Sequence, residues 1–336
     1  MNILMVGEQH LGHSIKSIKH GLQLCGHAVD NVYTRKLLRA GGLPLVRDTI
    51  TTRDYSPYDI VMLWNPRKDL NAEMVAFISQ RIPVIWYTND AIPHKINDTE
   101  RERRAMARLC AGGIYPSSTQ VAIAEGHGQV AALAYPPFDL WPWRYPESTV
   151  KVADVMFMAN TCYIRKEWPH MQWERRELAR ALIDSGVDFK AAGHWDENPR
   201  GWGTEYGGID REHYYGFIPH DNLPGILRNT PIHINNHPCC TLKHYTNYRM
   251  VLTMCTGGFV LTDKPAGLDT VLRDGEHVVY YASPGDLVEK VVYYLAHERE
   301  RLEVALRGQK RMLRLSSCAA FAQKVEKIAQ KIGGQA

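Results

Sequence analysis

Wholly apolar runs of four or five residues recur along this 336-residue chain, and they constrain its fold more than any other feature. Ile3-Leu4-Met5-Val6, Asp59-Ile60-Val61-Met62-Leu63 and Pro83-Val84-Ile85-Trp86-Tyr87 each hold four or five hydrophobic residues in succession. Strands built from such runs must be covered on both faces, as in a parallel sheet. Helix-length segments lie between them. Ile15, Ile18 and Leu22 follow the Gly7–Gly12 turn at helical spacing, and Gly26 stands where that helix would end. His27–Val32, Gly113–Tyr115 and Val130–Ala134 read as further strands, and Leu70–Gln80 and Thr99–Leu109 as helices. The strand–helix alternation predicts an α/β domain with helices on both faces of its sheet.

The pattern stops at PPFDLWPWRYPEST, where Pro136, Pro137, Pro142 and Pro146 oppose both helix interiors and central strands. A second series follows. Asp154–Ala159, Val187–Ala192, Tyr214–Ile218, Ile232–Asn235, Phe259–Thr262 and His277–Tyr281 read as strands. Trp173–Asp184 and Tyr248–Cys255 read as helices, and Leu287, Val288, Val291, Val292 and Leu295 form one helical stripe. Phe321, Val325, Ile328 and Ile332 form the last. The expected organisation is an N-terminal Rossmann-like domain over 1–145, a second over 146–318, and a helix over 319–336 for which a return to the first domain is one course. Two doubly wound domains of this kind would face a central cleft, with ligands at the C-terminal ends of the strands. The first strand–turn–helix lacks the full G-x-G-x-x-G fingerprint, so a plain dinucleotide site is not indicated.

Composition narrows the function. No run approaches the roughly 20 apolar residues of a membrane span. The N-terminal MNILMVGEQH has neither a basic n-region nor a cleavage site. The seven scattered cysteines fit reduced thiols. These features lead to the expectation of a cytoplasmic protein, in a host cytoplasm if phage-encoded, and a monomer or weak dimer. The net charge of +4 is split evenly between the halves, which excludes a strongly basic nucleic-acid-packaging type. The histidine- and cysteine-rich segment HINNHPCCTLKH has no standard zinc spacing, so no metal site is expected.

The segment from Asn247 to Leu306 carries Arg249, Gly257-Gly258, Leu261-Thr262-Asp263, Asp274-Gly275-Glu276 and Tyr293-Tyr294-Leu295 in a distinctive order. Upstream stand Asn89-Asp90-Ala91-Ile92-Pro93, Ala134-Tyr135-Pro136-Pro137-Phe138-Asp139, Ala159-Asn160, Gly193-His194-Trp195, Gly216-Phe217-Ile218 and Asn235. Together these resemble the nucleotide-sugar glycosyltransferases of GT-B architecture, in particular the CgeB-like group related to the glycosyl transferases group 1 family. The resemblance implies transfer of a sugar from a nucleoside-diphosphate sugar, a UDP-sugar first, to an acceptor hydroxyl, with no bound cofactor. It implies a donor site built from Gly12, Asn160, Arg165, Gly193, His194, Trp195, His244, Tyr245, Asn247, Arg249 and Asp269. One departure is plain. The family's ribose-binding glutamate is replaced here by Leu252, which cannot accept those hydrogen bonds. Asp269 is one substitute; an altered donor pocket is the other.

The chemistry asks for specific groups. Charge builds on the leaving diphosphate, so a cation such as Arg249 and a close backbone approach at Gly12 would stabilise it. An inverting reaction needs a base near a strand's C-terminal end, and Asp90 and His13 both stand there; a retaining reaction needs none. Arg35, Lys36 and Arg39, with Arg47 and Arg53 beyond them, cluster on the acceptor side. They fit a solvated surface or an anionic acceptor. Modified duplex DNA is therefore one alternative acceptor, as for phage transferases acting on hydroxymethylated pyrimidines. A non-catalytic sugar-nucleotide or glycan-binding GT-B protein is the other alternative.

Overall fold

The parallel pattern of the sequence becomes two separate six-stranded sheets. The computed structural model describes residues 1–7, 13–66, 69–89, 98–138, 151–159, 171–193, 195, 201–203, 208–219 and 222–333, without the side chains of 13–16 and 98–100. The chain divides into two compact units, one of Met1–Asp139 with Leu315–Ala336, the other of Leu140–Arg314.

In the first unit the strands are β1 (Asn2–Gly7), β2 (Ala28–Tyr33), β3 (Ile60–Trp64), β4 (Val84–Tyr87), β5 (Gly112–Tyr115) and β6 (Val130–Leu133). They pair in parallel in the order β2-β1-β3-β4-β5-β6. The helices between them are α1 (His13–Leu24), α2 (Thr34–Thr51), α3 (Ala72–Ser79), α4 (Asp98–Arg108) and α5 (Ser118–Glu125). The period-two geometry of a strand divides each apolar run between two cores. Leu4, Val6, Val61, Leu63, Val84 and Trp86 pack with Val46 and Ile50 of α2, Met74, Val75 and Ile78 of α3 and Met106 of α4. Their neighbours Ile3, Met5, Ile60, Met62, Ile85 and Tyr87 pack the other way, with Ile18 and Leu22 of α1.

The second unit contains β7 (Val155–Met158), β8 (Phe189–Ala192), β9 (Tyr214–Gly216), β10 (Ile232–Asn235), β11 (Val260–Thr262) and β12 (Val279–Tyr280). Their order is β12-β11-β10-β7-β8-β9, again parallel. Its helices are α6 (Arg175–Asp184), α7 (Leu223–Asn229), α8 (Tyr248–Cys255), α9 (Pro284–Ala296) and α10 (Glu298–Leu315). The chain leaves β7 toward β8 and β9, then returns to place β10 on β7's other side. The strand order therefore reverses between β7 and β10, the topological switch point where open α/β sheets take ligands.

The last helix, α11 (Cys318–Gly333), belongs to the first unit. Phe321, Ala322, Val325, Ile328, Ala329 and Ile332 complete the core on the α1 side of the first sheet. The Phe321 ring meets Tyr87 edge-on at 5.0 Å. Gly21 of α1 lies so close to Cys318 that a Cβ there would stand 2.4 Å from the Cys318 Cβ.

Two helices escape the periodicity of the sequence. In α2 the backbone leaves helical values at Gly41 and Gly42, and Pro44 follows, so its stripe is broken into two short pieces. In α10 the buried positions are Arg301, Val304, Ala305, Gly308 and Met312, too mixed to read as apolar. Arg301 is satisfied by the Tyr294 carbonyl at 2.8 Å and Glu298 at 3.1 Å. Gly308 sits against the His277 carbonyl, where a Cβ would stand 2.2 Å from the oxygen. Alanine normally favours a helix interior over glycine by about 1 kcal/mol. Here the overlap forces backbone movement, so Gly308→Ala should destabilise by about 1–3 kcal/mol. A lowered urea midpoint checks this; an unchanged or raised midpoint would show that the His277 segment gives way freely.

Candidate functional site

The polar groups at the switch point begin where β10 runs out of apolar residues. β10 and β11 pair with Asn235 opposite Thr262. The next residues on the two strands, Asn236-His237 and Asp263, therefore emerge side by side at the same sheet edge. All of them are buried.

Asp263 organises this edge. It accepts the His237 backbone N–H at 2.8 and 3.1 Å, His237 Nδ1 at 2.6 Å, Cys240 Sγ at 3.2 Å and Thr262 Oγ1 at 3.2 Å. Both side chains of the His237–Asp263 pair are 0% exposed. A carboxylate surrounded by donors has no proton to give, so the imidazole hydrogen lies on Nδ1. Burial pushes the Cys240 thiol well above its ordinary pKa, and the negative Asp263 beside it adds to the shift. Cys240 is therefore a neutral thiol, not a metal-binding or nucleophilic thiolate. Among the described residues no group of three or more His, Cys, Asp or Glu side chains could hold a metal ion.

A second layer fixes the same edge from the helix side. Arg175, the first residue of α6, donates from Nε to Asn236 Oδ1 at 2.8 Å. Asn236 Nδ2 donates to the Trp173 carbonyl at 2.8 Å. Asn247 Nδ2 donates to the Asn236 carbonyl at 3.2 Å, while Asn247 Oδ1 caps α8 by accepting the Met250 N–H at 2.9 Å. Asn247 thus ties the start of α8 to the end of β10. α8 closes at Gly257, whose φ of 92° allows the Gly257 and Gly258 N–H groups to bond back to Met254 and Thr253.

Several residues expected from the sequence meet on this loop and helix. Tyr245 is buried, with its ring 5.4 Å from that of His237 in a T-shaped arrangement. Arg249, half-buried in the first turn of α8, places its guanidinium 5.8 Å from the Phe157 ring centre on β7. His244 has φ of 59° and its Nε2 lies 3.5 Å from Thr270 Oγ1. Asp269, exposed in a short 3-10 helix, pairs with Lys264 at 3.6 Å. Leu252, where the resemblance leads one to expect a glutamate, is buried in α8.

Gly193 and Trp195 follow β8 and form a separate group. Trp195 tilts against Tyr214 with ring centres 4.8 Å apart, and the Arg211 guanidinium lies 4.5 Å over Trp195. The Tyr214 hydroxyl donates to the Gly193 carbonyl at 2.7 Å. Gly12, Asp90, Asn160, Arg165 and His194 lie outside the described residues, as does the side chain of His13, which opens α1. On α2, Lys36 and Arg39 are exposed and Arg35 is half-buried. Arg47 pairs with Glu73 at 2.9 Å, and Arg53 donates to the Tyr58 hydroxyl at 3.4 Å.

The sequence reading did not single out Asp263, Asn236 or Arg175 as site residues, and it met His237 only in the zinc question. The strand register that sets Asp263 beside His237 was the missing signal. The histidines of HINNHPCCTLKH in fact diverge. His233 lies inside β10 and donates to the Leu227 carbonyl at 2.9 Å, and burial pushes its pKa down to about 4.

Residues 171–327, which span this whole edge, match the family described as Glycosyl transferase-like. No curated protein matches the chain by sequence. Among solved structures, Anabaena HepE in complex with UDP-glucose aligns over 99% of this chain and 100% of its own, with a TM-score of 0.67 at 13% identity. Sucrose-phosphate synthase from Thermosynechococcus elongatus aligns over 100% of both chains, with a TM-score of 0.66 at 11% identity. The DNA-modifying enzyme β-glucosyltransferase, solved in the presence and absence of its substrate uridine diphosphoglucose, aligns over 98% of this chain and 100% of its own, with a TM-score of 0.61 at 13% identity. At these identities the likeness is one of fold, and the fold is GT-B.

Two outcomes follow from the electrostatics. Asp263→Ala strips the partner from several buried donors and should cost about 3 kcal/mol or more of unfolding free energy in chemical denaturation. His233 stays neutral in the folded chain down to about 4, whereas the unfolded chain takes up a proton near the ordinary histidine value of 6.5. Its contribution is therefore complete above 6.5 and lost as the pH falls toward 4, by about 3 kcal/mol. The stability of His233→Gln should accordingly fall less steeply than wild type across that window; parallel curves would contradict the assignment.

Proposed function

We propose that the chain is a glycosyltransferase that moves a sugar from a nucleoside-diphosphate sugar, a UDP-sugar first, to an acceptor hydroxyl. The observation that carries this reading is the coincidence of the glycosyl transferase-like match, residues 171–327, with a polar strand edge at the switch point of the second sheet. In the reaction the bond between the anomeric carbon and the β-phosphate oxygen breaks. The acceptor oxygen bonds to that carbon, its proton goes to a base or to the leaving diphosphate, and the diphosphate departs with the negative charge. Arg249, on the first turn of α8 beside β7, is the cation assigned to that charge. Tyr245, His244 and Asn247 would shape the donor pocket around it.

The Gly193–Trp195 turn, with the Trp195–Tyr214–Arg211 stack, offers a flat aromatic surface suited to the nucleoside. Gly12, Asn160, Arg165 and His194 are assigned to the same donor, and Asp90 or His13 to the base if the reaction inverts. Leu252, buried and apolar, does not bind the ribose; Asp269 is the substitute. The acceptor belongs to the first unit. Modified duplex DNA is a second reading for it, favoured by Lys36 and Arg39 standing exposed three residues apart on α2. Binding of such DNA that weakens steeply with salt in a mobility-shift assay would support that reading, and salt-independent or absent binding would dismiss it.

A thermal-shift screen against UDP-, GDP-, dTDP- and CDP-sugars, followed by donor hydrolysis and transfer assays, tests the main reading. A stabilising nucleotide sugar that is neither hydrolysed nor transferred would leave a non-catalytic binding protein. Loss of one charged contact to the diphosphate predicts that Arg249→Ala lowers kcat/KM by about 100-fold or more. Unchanged kinetics would remove Arg249 from the site.

A further inference from the structure

We infer that His237 is a donor-binding residue whose Nε2 accepts a hydrogen bond from a hydroxyl of the bound nucleotide sugar; this rests on the glycosyltransferase reading above. Three observations carry it. First, the ring is locked. Its side chain is 0% exposed and its Nδ1 is held at 2.6 Å by Asp263. That carboxylate is itself fixed by the His237 N–H, Thr262 Oγ1 and Cys240 Sγ. With Nδ1 committed to Asp263, the other nitrogen points in one set direction.

Second, His237 Nε2 is buried with no hydrogen-bond partner among the described residues. Folded chains satisfy buried polar atoms, so this nitrogen calls for a partner that the described residues do not supply. Thr246 Oγ1, on the residue before the cap of α8, is likewise fully buried and without a partner among the described residues. Both orphans belong to the one segment that joins β10 to α8.

Third, the position is right for a ligand. His237 lies just past the C-terminal end of β10, one of the two strands that flank the switch point. A purely structural side chain there would need only Nδ1. The neutral Cys240 thiol, bonded to Asp263, argues against a metal-binding role for the same histidine. Asp263 is then the positioning residue of the pair: it sets the ring's tautomer and direction without touching the ligand.

Two substitutions separate the nitrogens. In His237→Asn the amide nitrogen takes the place of Nδ1 and keeps the bond to Asp263, but nothing replaces Nε2. In His237→Gln the amide reaches the Nε2 position and abandons Asp263. Titration calorimetry with UDP and UDP-glucose on the full chain reads the difference. The Asn variant should bind UDP-glucose about 10-fold or more weakly than wild type, and the Gln variant should recover part of that loss. A parallel loss for UDP places the contact on a ribose hydroxyl; a loss confined to UDP-glucose places it on a hydroxyl of the sugar. An Asn variant that binds both ligands like wild type overturns the inference while the glycosyltransferase reading stands. If wild type binds neither, the choice of a uridine donor fails and takes this assignment with it. A crystal structure of the wild-type chain with UDP-glucose decides the matter if the Asn variant does not fold. A ligand hydroxyl within about 3.2 Å of Nε2 supports the contact, and none within about 4 Å overturns it.

Discussion

Burial on both faces is the constraint from which the rest of the first unit follows. β1, β3 and β4 send alternate side chains into two different cores, and no residue along Ile3–Val6 or Val84–Tyr87 is available to water. A parallel sheet of this kind is stable only when helices cover it above and below. α2, α3, α4 and α5 cover one face. α1 covers only part of the other, and α11 supplies the remainder with Phe321, Val325, Ile328 and Ile332. Each of those side chains contributes on the order of 1.5–3 kcal/mol by leaving water, so the last helix is a structural part of the first sheet and not an appendage.

The second sheet uses the same rigidity for a different end. Its strands are short and apolar, and polar residues begin directly where β10 and β11 end. A buried carboxylate is tolerated there because Asp263 collects backbone, imidazole, hydroxyl and thiol donors at once. Arg175, Asn236 and Asn247 add a second set of bonds that ties α6, β10 and α8 together. Side chains fixed in this way are held in one arrangement by the fold itself, which is the condition for recognition at low reorganisation cost.

Much of the fold was legible in the sequence. Ile3–Val6, Ile60–Leu63 and Val84–Tyr87 could be little other than buried strands, and Gly26 and Gly257-Gly258 marked helix ends that the backbone bonds bear out. α2 was hidden because Gly41, Gly42 and Pro44 break its stripe, and α10 because Arg301 and Gly308 occupy buried positions. The covering role of Phe321–Ile332 showed as a stripe, but a stripe does not say which sheet it meets. Around α8, Arg249, Asn247 and Tyr245 were expected as donor residues from the order of residues, and they lie on or beside its first turn. The pairing of His237 with Asp263 could not, because it depends on the register of two strands separated by 24 residues of chain. Leu252, where the resemblance leads one to expect a glutamate, was visible from identity alone, and the structure adds that the leucine is packed inside.

The place of α11 sets an order of events during synthesis. Translation delivers β1 to β6 first, yet the helix that seals one face of their sheet is made last, after every element of the second unit has emerged. The second unit can therefore close while the face of the first that holds Tyr87 still lacks the helix that completes its cover.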